Sequence, residues 1–187
     1  MANLKTKQLT TPKGLQVTLR SPIEADAADI LELIDKVIAE RKYQVTEPGE
    51  YALNVEDQKK WIQKMSTAPA DIVIVAEFHN RIVGMIDFHQ NARRRRLKHT
   101  GSFGMSVVSE YREHGIGTVL VEELLSWARL QPEIEKVCLS VFSNNPRAIH
   151  LYKKLGFHEE GRRVKEIKVG SDEYWDEILM FKMVKQR

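Results

Sequence analysis

Apolar residues along the chain switch between two periods, and each switch marks an element. Leu15, Val17 and Leu19 alternate with polar residues, the period of a half-buried strand, so Leu15–Arg20 is predicted as the first one. After Ser21-Pro22, the residues Ala27, Ile30, Leu31, Ile34, Val37 and Ile38 recur at three and four, predicting a helix from Ile23 to about Arg41. Pro48-Gly49 excludes regular structure in the connector that follows, and Asn54 is suited to cap a second helix containing Val55, Trp61, Ile62 and Met65. Asp71–Glu77 and Arg81–Phe88 are rich in β-branched residues and, joined through Phe78-His79-Asn80, predict an antiparallel hairpin. A strand over Thr100–Val108 leads to a helix that opens at Gly115 to Gly117 and repeats Val119, Leu120, Leu124 and Ala128 on one face. The almost wholly apolar Lys136–Phe142 reads as a strand buried on both faces, so strand, helix and strand form a right-handed crossover with parallel strands. A last helix starts at Asn145-Pro146 and stops at Gly156, and Arg162–Val169 with Glu173–Met183 close the chain as a long hairpin. Residues 1–13 read as a flexible leader. The whole predicts one mixed α/β (α+β) domain over 1–187, about seven strands and four helices in the order β-α-α-β-β-β-α-β-α-β-β.

Composition narrows the class without naming it. The chain has 187 residues, 42% hydrophobic and 29% charged, enough to build a sizeable core. Cys138 is the only cysteine, which excludes an internal disulfide and fits a reducing, cytoplasmic setting. No segment approaches the ~18 apolar residues that span a bilayer, so no membrane role is expected. The formal charge of +3 is too weak to imply nucleic acid. It is unevenly spread, with Arg93-Arg-Arg-Arg96, Lys98 and His99 in one cluster that reads first as a solvated turn. His79 and His89 lack further ligands at metal-binding spacing, and no metal is expected.

Chemistry enters at Arg112-Glu-His-Gly115-Ile-Gly117, where a strand passes through two glycines into a helix. The first turn of a helix has backbone N–H groups without intrahelical partners and the positive end of the dipole, and glycine lets an anion approach that backbone. The stretch lacks the lysine of a P-loop and the third glycine of a Rossmann turn. Taken alone, it is equally an ordinary glycine-bearing loop opening a core helix.

A second segment breaks the tie. Asn145-Pro-Arg-Ala148-Ile-His-Leu-Tyr152-Lys-Lys-Leu-Gly156-Phe157 follows one strand after the loop. Together the two motifs, in this order, resemble the GCN5-related N-acetyltransferase family: Gln/Arg-x-x-Gly-x-Gly/Ala for the pyrophosphate of coenzyme A, then Asn-x-x-Ala-x-x-x-Tyr-x-x-x-Gly-Phe. The resemblance covers the chain from about Leu15 onward and implies acetyl-coenzyme A as co-substrate and a primary amine as acceptor. It implies that the N–H groups of Arg112, Glu113, His114, Gly115, Ile116, Gly117 and Thr118 hold the pyrophosphate. Backbone groups of Met105, Val107 and Val108 would pair with the pantetheine arm, with an N–H near Val107 for the oxyanion. Asn145 would bond the pantetheine or position the acyl group, and Tyr152 would protonate the departing thiolate.

The general base is not given by the motif, since the central strand offers no glutamate at Ser106 or beside it. Glu47 and Glu50 in the connector are the candidates, Glu50 foremost, with a water chain as the alternative. Ser109 stands where many members carry proline. The ending resembles the branch with spermidine, ribosomal-protein N-terminal and small-amine or amino-acid acetyltransferases. Small amine, amino acid, polyamine and protein N-terminus therefore stay open as acceptors, as do a homodimer and a catalytically silent acyl-coenzyme A-binding module.

Overall fold

The computed structural model describes residues 4–185, with eight strands and four helices among them. The strands are β1 (Lys7–Thr10), β2 (Gln16–Arg20), β3 (Ile72–Phe78), β4 (Arg81–Gln90), β5 (Thr100–Val107), β6 (Lys136–Phe142), β7 (His158–Lys168) and β8 (Tyr174–Met183). The helices are α1 (Ala27–Ala39), α2 (Val55–Thr67), α3 (Ile116–Leu130) and α4 (Pro146–Lys154). One mixed sheet runs in the order β1-β2-β3-β4-β5-β6-β8-β7. The chain packs as two compact units, one with the residues up to His89 and Gly104–Trp127, the other with Gln90–Phe103 and the residues from Ala128 onward.

In the first unit, the hydrophobic stripes of α1 and α2 close on the sheet. Ala27, Ile30 and Leu33 of α1 and Ile62 and Met65 of α2 form one buried cluster with Val73 and Val75 of β3 and Ile82 and Met85 of β4. Ile82 and Met85 are three apart, and a strict two-residue alternation would send them to opposite faces. A bulge reconciles them: Ile82 pairs with Glu77 and Gly84 with Ala76, which leaves Val83 as the extra residue. Its carbonyl accepts from Val108 N–H at 3.1 Å, fixing the point where the chain leaves β5. The two-residue turn between β3 and β4 has His79 and Asn80 at φ 49° and 58°, the left-handed pair that suits a tight hairpin.

Of the predicted leader, residues 1–3 lie outside the described residues, and Lys7–Thr10 form a strand. Lys7–Thr10 pair with Gln16–Leu19 as an added edge strand, and Thr11 in the turn between them is 3% exposed. Its short alternation, Leu9 alone being apolar, is too brief to be legible as a strand.

In the second unit, Thr100–Ser102 of β5 lie parallel to Lys136–Cys138 of β6, as the crossover pattern requires. β8 pairs antiparallel with β6 over its whole length, Lys136↔Met183 to Phe142↔Glu177, and β7 forms the hairpin with β8. Asn145 caps α4 by accepting from Ala148 N–H at 3.1 Å, and Gly156 ends it at φ 83°.

Candidate active site

The glycine loop is held from three sides. Arg112 turns away from the helix end: its Nε donates to the Val107 carbonyl at 2.8 Å, and its two terminal nitrogens meet the Glu40 carboxylate at 2.5 Å each, at the end of α1. That bidentate geometry matches a planar guanidinium to a carboxylate. The His114 ring lies 2.9 Å from the Arg112 carbonyl. Thr11 Oγ1 donates to the His114 carbonyl at 2.5 Å and accepts from Leu15 N–H at 3.2 Å. Gly115 sits at φ 83°, and a Cβ there would lie 3.0 Å from Pro12 Cδ and 3.1 Å from Thr11 Cβ. Glycine at 115 is therefore required twice, by conformation and by the N-terminal turn packed against it.

The first intrahelical bond is Val119 N–H to the Gly115 carbonyl at 3.2 Å, so the N–H groups of Ile116, Gly117 and Thr118 precede the ladder. Gly84 on β4 lets this end of α3 approach the sheet, since a Cβ there would come within 3.1 Å of Ile116 and 3.3 Å of Leu120. The arrangement is a rigid set of donors at the positive end of a 15-residue helix, which fits a pyrophosphate.

Two of the motif expectations change in detail. Val108 is removed from the set that could pair with a pantetheine arm, because its N–H is bonded to Val83 and its carbonyl accepts from Tyr111 N–H at 3.0 Å. The Arg112 N–H, expected in the pyrophosphate set, donates to the Ser109 carbonyl at 3.2 Å, and its side chain braces α1 against the loop. Met105 and Ser106 line the cleft described next, and Val107 uses its carbonyl for Arg112.

That cleft, about 280 Å³, opens within the first unit. Its walls come from Ile34 and Ile38 of α1, Trp61 of α2 and Tyr51 of the connector, and its floor from β4 and β5. Met85, Asp87 and His89, two residues apart, share one face of β4. The Asp87 carboxylate rests against Gly104 of β5, where a Cβ would be 3.5 Å from Oδ1. His89 is gripped on both ring nitrogens, Nε2 3.1 Å from Asp87 and Nδ1 3.4 Å from Asp71. Asp87 first, then Asp71, outweigh partial burial and raise the imidazole pKa, favouring its charged form. Burial, with Asp87 and Asp35 nearby, pushes the Tyr51 phenol up as well.

Glu50 and Glu47 are exposed in the connector and do not line this cleft. The Glu50 carboxylate accepts from the Glu47 N–H at 2.8 Å, closing a local turn, and Glu47 lies 3.7 Å from Arg41. Gln44 is the connector residue that reaches β5, 3.4 Å from Ser106 Oγ.

In the second unit, Tyr152 is 6% exposed, in edge contact with Phe103 and Phe157 at 5.8 and 5.9 Å between ring centroids. Burial alone drives its phenol far above the ordinary range, so it stays protonated at neutral pH. Asn145 spends Oδ1 on the α4 cap, which leaves Nδ2 outside that bond. Cys138 is half-buried, its thiol pushed up by burial and so held in the unreactive form. Arg93–Arg96 are exposed around a short turn, and Arg95, Lys98, His99 and Glu133 border an open hollow of about 440 Å³.

Thr11, Glu40, Asp87 and the clamp on His89 were not singled out from sequence. Asp87 and His89 had a signal: two polar residues on one face of a strand whose other residues between its polar ends, Arg81 and Gln90, are apolar or glycine. Thr11 and Glu40 had none, since their partners stand 103 and 72 residues away.

Comparison with known proteins gives the family. The family model described as "Acetyltransferase (GNAT) family" matches residues 37–157, which span the loop, Asn145 and Tyr152. The L-amino acid N-acetyltransferase AaaT of Escherichia coli is 30% identical over 64% of this chain and 73% of its own length. An N-alpha-acetyltransferase of Sulfurisphaera tokodaii is 31% identical over 67% of this chain and 75% of its own. Among solved structures, a GNAT acetyltransferase from Streptococcus pneumoniae superposes with a TM-score of 0.84 at 24% identity, over 89% of this chain and 99% of its own. The acetyltransferase yncA of Salmonella typhimurium, solved with its cofactor acetyl-CoA, gives 0.80 at 19% identity over 91% and 95%. With a family model matched over 121 of 187 residues and relatives named as N-acetyltransferases, the chain belongs to the GNAT acetyltransferase family and is an N-acetyltransferase that uses acetyl-coenzyme A.

Proposed function

We propose that the acceptor is a primary amine received in the cleft of the first unit, and that Asp87, steadied by His89, takes its proton. The observation that carries this reading is the Asp87 carboxylate against Gly104, at the start of the β5 segment whose backbone the family resemblance assigns to the pantetheine arm. An amine is protonated at neutral pH and cannot attack a carbonyl until it loses a proton, so a carboxylate beside the attack position serves first as counter-ion and then as base. The deprotonated nitrogen bonds to the thioester carbonyl carbon, loses its second proton to water once the C–N bond makes it acidic, the C–S bond breaks, and the sulfur leaves as thiolate. Tyr152 gives its proton to that sulfur; a phenol kept protonated by burial is suited to donate. The N–H groups of Ile116, Gly117 and Thr118 bind the pyrophosphate, Met105 and Val107 accompany the pantetheine arm, and Asn145 orients it through Nδ2. Asp87 is preferred to Glu50 as the base because Asp87 lines the cleft and Glu50 does not.

A thiol-release assay with acetyl-coenzyme A against amines, amino acids and N-terminal peptides tests the proposal, run also on Tyr152→Phe and Asp87→Asn. Turnover should fall ~10²-fold or more in both variants, within the range general acid–base groups supply. Unchanged rates in Asp87→Asn at every pH would remove it as the base.

A further inference from the structure

The cleft has a charge pattern that discriminates among amines. Its lining holds no lysine and no arginine. Its ionisable groups besides the Tyr51 phenol are Asp87 and His89, and both ring nitrogens of His89 are already turned to carboxylates. With the imidazole charged, Asp71, His89 and Asp87 together carry a net single negative charge, and no donor of that group is left over for a ligand's carboxylate. The remaining surface is mainly aromatic and aliphatic, with Trp61, Tyr51, Ile34, Ile38 and Met85, and its other polar side chains, Gln44, Thr46 and Ser106, carry no charge to offset a carboxylate.

We infer that the acceptor is a small amine with no carboxylate beside its amino group: an aryl-alkylamine, diamine or polyamine in preference to the amino acid with the same side chain. This rests on the acceptor site proposed above and narrows its substrate. An amino group drawn to Asp87 brings the α-carboxylate of an amino acid within about 5 Å of the same charge, with no cation to offset it. At an effective dielectric near 20, repulsion over that distance, lessened by solvent at the cleft mouth, amounts to roughly ten- to a hundredfold in binding. A peptide N-terminus escapes the charge penalty, but its chain must continue out of a cleft of about 280 Å³, below the usual size even of a drug-like pocket.

The test uses pairs that differ only by the carboxylate: tryptamine and tryptophan, phenethylamine and phenylalanine, cadaverine and lysine, with N-terminal peptides alongside. In the full-length enzyme with saturating acetyl-coenzyme A, kcat/KM should favour the amine at least tenfold in each pair that turns over. Gln44→Arg places a cation at the rim and should narrow the gap by raising the amino acid's kcat/KM, a gain that general damage to the fold does not produce. Equal or better turnover of the amino acids, turnover confined to peptides, or no turnover of any amine overturns the inference. Loss of acetyl-coenzyme A binding in the unmodified protein, read by calorimetry, would instead overturn the acetyltransferase site itself.

Discussion

Thr11→Val isolates the contribution of the N-terminal turn to the coenzyme site. Valine has nearly the volume and branching of threonine, so packing against Gly115 is retained while two hydrogen bonds are lost, the 2.5 Å bond to the His114 carbonyl and the 3.2 Å bond from Leu15 N–H. The site is 3% exposed at residue 11, so water replaces neither partner readily. Unpaired buried groups cost about 1–3 kcal/mol each, and with His114 itself exposed the lower half of that range applies, giving about 2 kcal/mol in all. For a chain of this size, that corresponds to a melting temperature lower by roughly 4–8 °C. The same change frees the His114 carbonyl, whose peptide carries the Gly115 N–H, so the donor set at the helix end loses its alignment. The KM for acetyl-coenzyme A should therefore rise several-fold, with kcat at saturation and the KM for the amine little altered. Thr11→Ser, which keeps the hydroxyl, should restore both. Urea denaturation and initial-rate kinetics on the three proteins decide it. Unchanged stability and unchanged acetyl-coenzyme A affinity in Thr11→Val would refute the claim that this turn braces the loop.

Arg112→Lys replaces a fork bonded to Glu40 and Val107 with a single ammonium, and should raise the KM for acetyl-coenzyme A while costing roughly 1–3 kcal/mol of stability, read by denaturant titration. Gly115→Ala should destabilise by at least about 1–2 kcal/mol from backbone conformation alone, before the 3.0 Å approach to Pro12 is counted, and calorimetric melting gives the value. His89 has a raised pKa in the fold, so its contribution is complete below the ordinary histidine value near ~6.5 and fades as pH climbs through the raised one. Stability measured from about pH 6 to about pH 9 should consequently fall more in the parent protein than in His89→Gln.

The local elements were legible because their causes are local. Asn54 and Asn145 cap the helices that follow them, Gly156 ends α4 in the left-handed conformation, and His79-Asn80 make a two-residue turn, each decided by residues within four positions. The glycine loop was legible as a helix start for the same reason, since it is made by one helix end and two glycines. What remained hidden depends on residues far apart in the chain. The side-chain role of Arg112 as a brace was hidden because its partner Glu40 stands 72 residues earlier. The first strand looked like part of a leader because four residues carry too little periodicity, and only pairing with β2 gives them a place. The proposed base illustrates the limit most plainly: Glu50 stands in a suggestive connector but closes a turn there, whereas Asp87 gains its surroundings from α1, α2, β5 and the clamp with Asp71 and His89. Helix caps and turns are set by hydrogen bonds along the sequence, so composition and spacing determine them. The electrostatics of a cleft are set by which distant groups are brought within a few ångströms, and tertiary packing alone decides that.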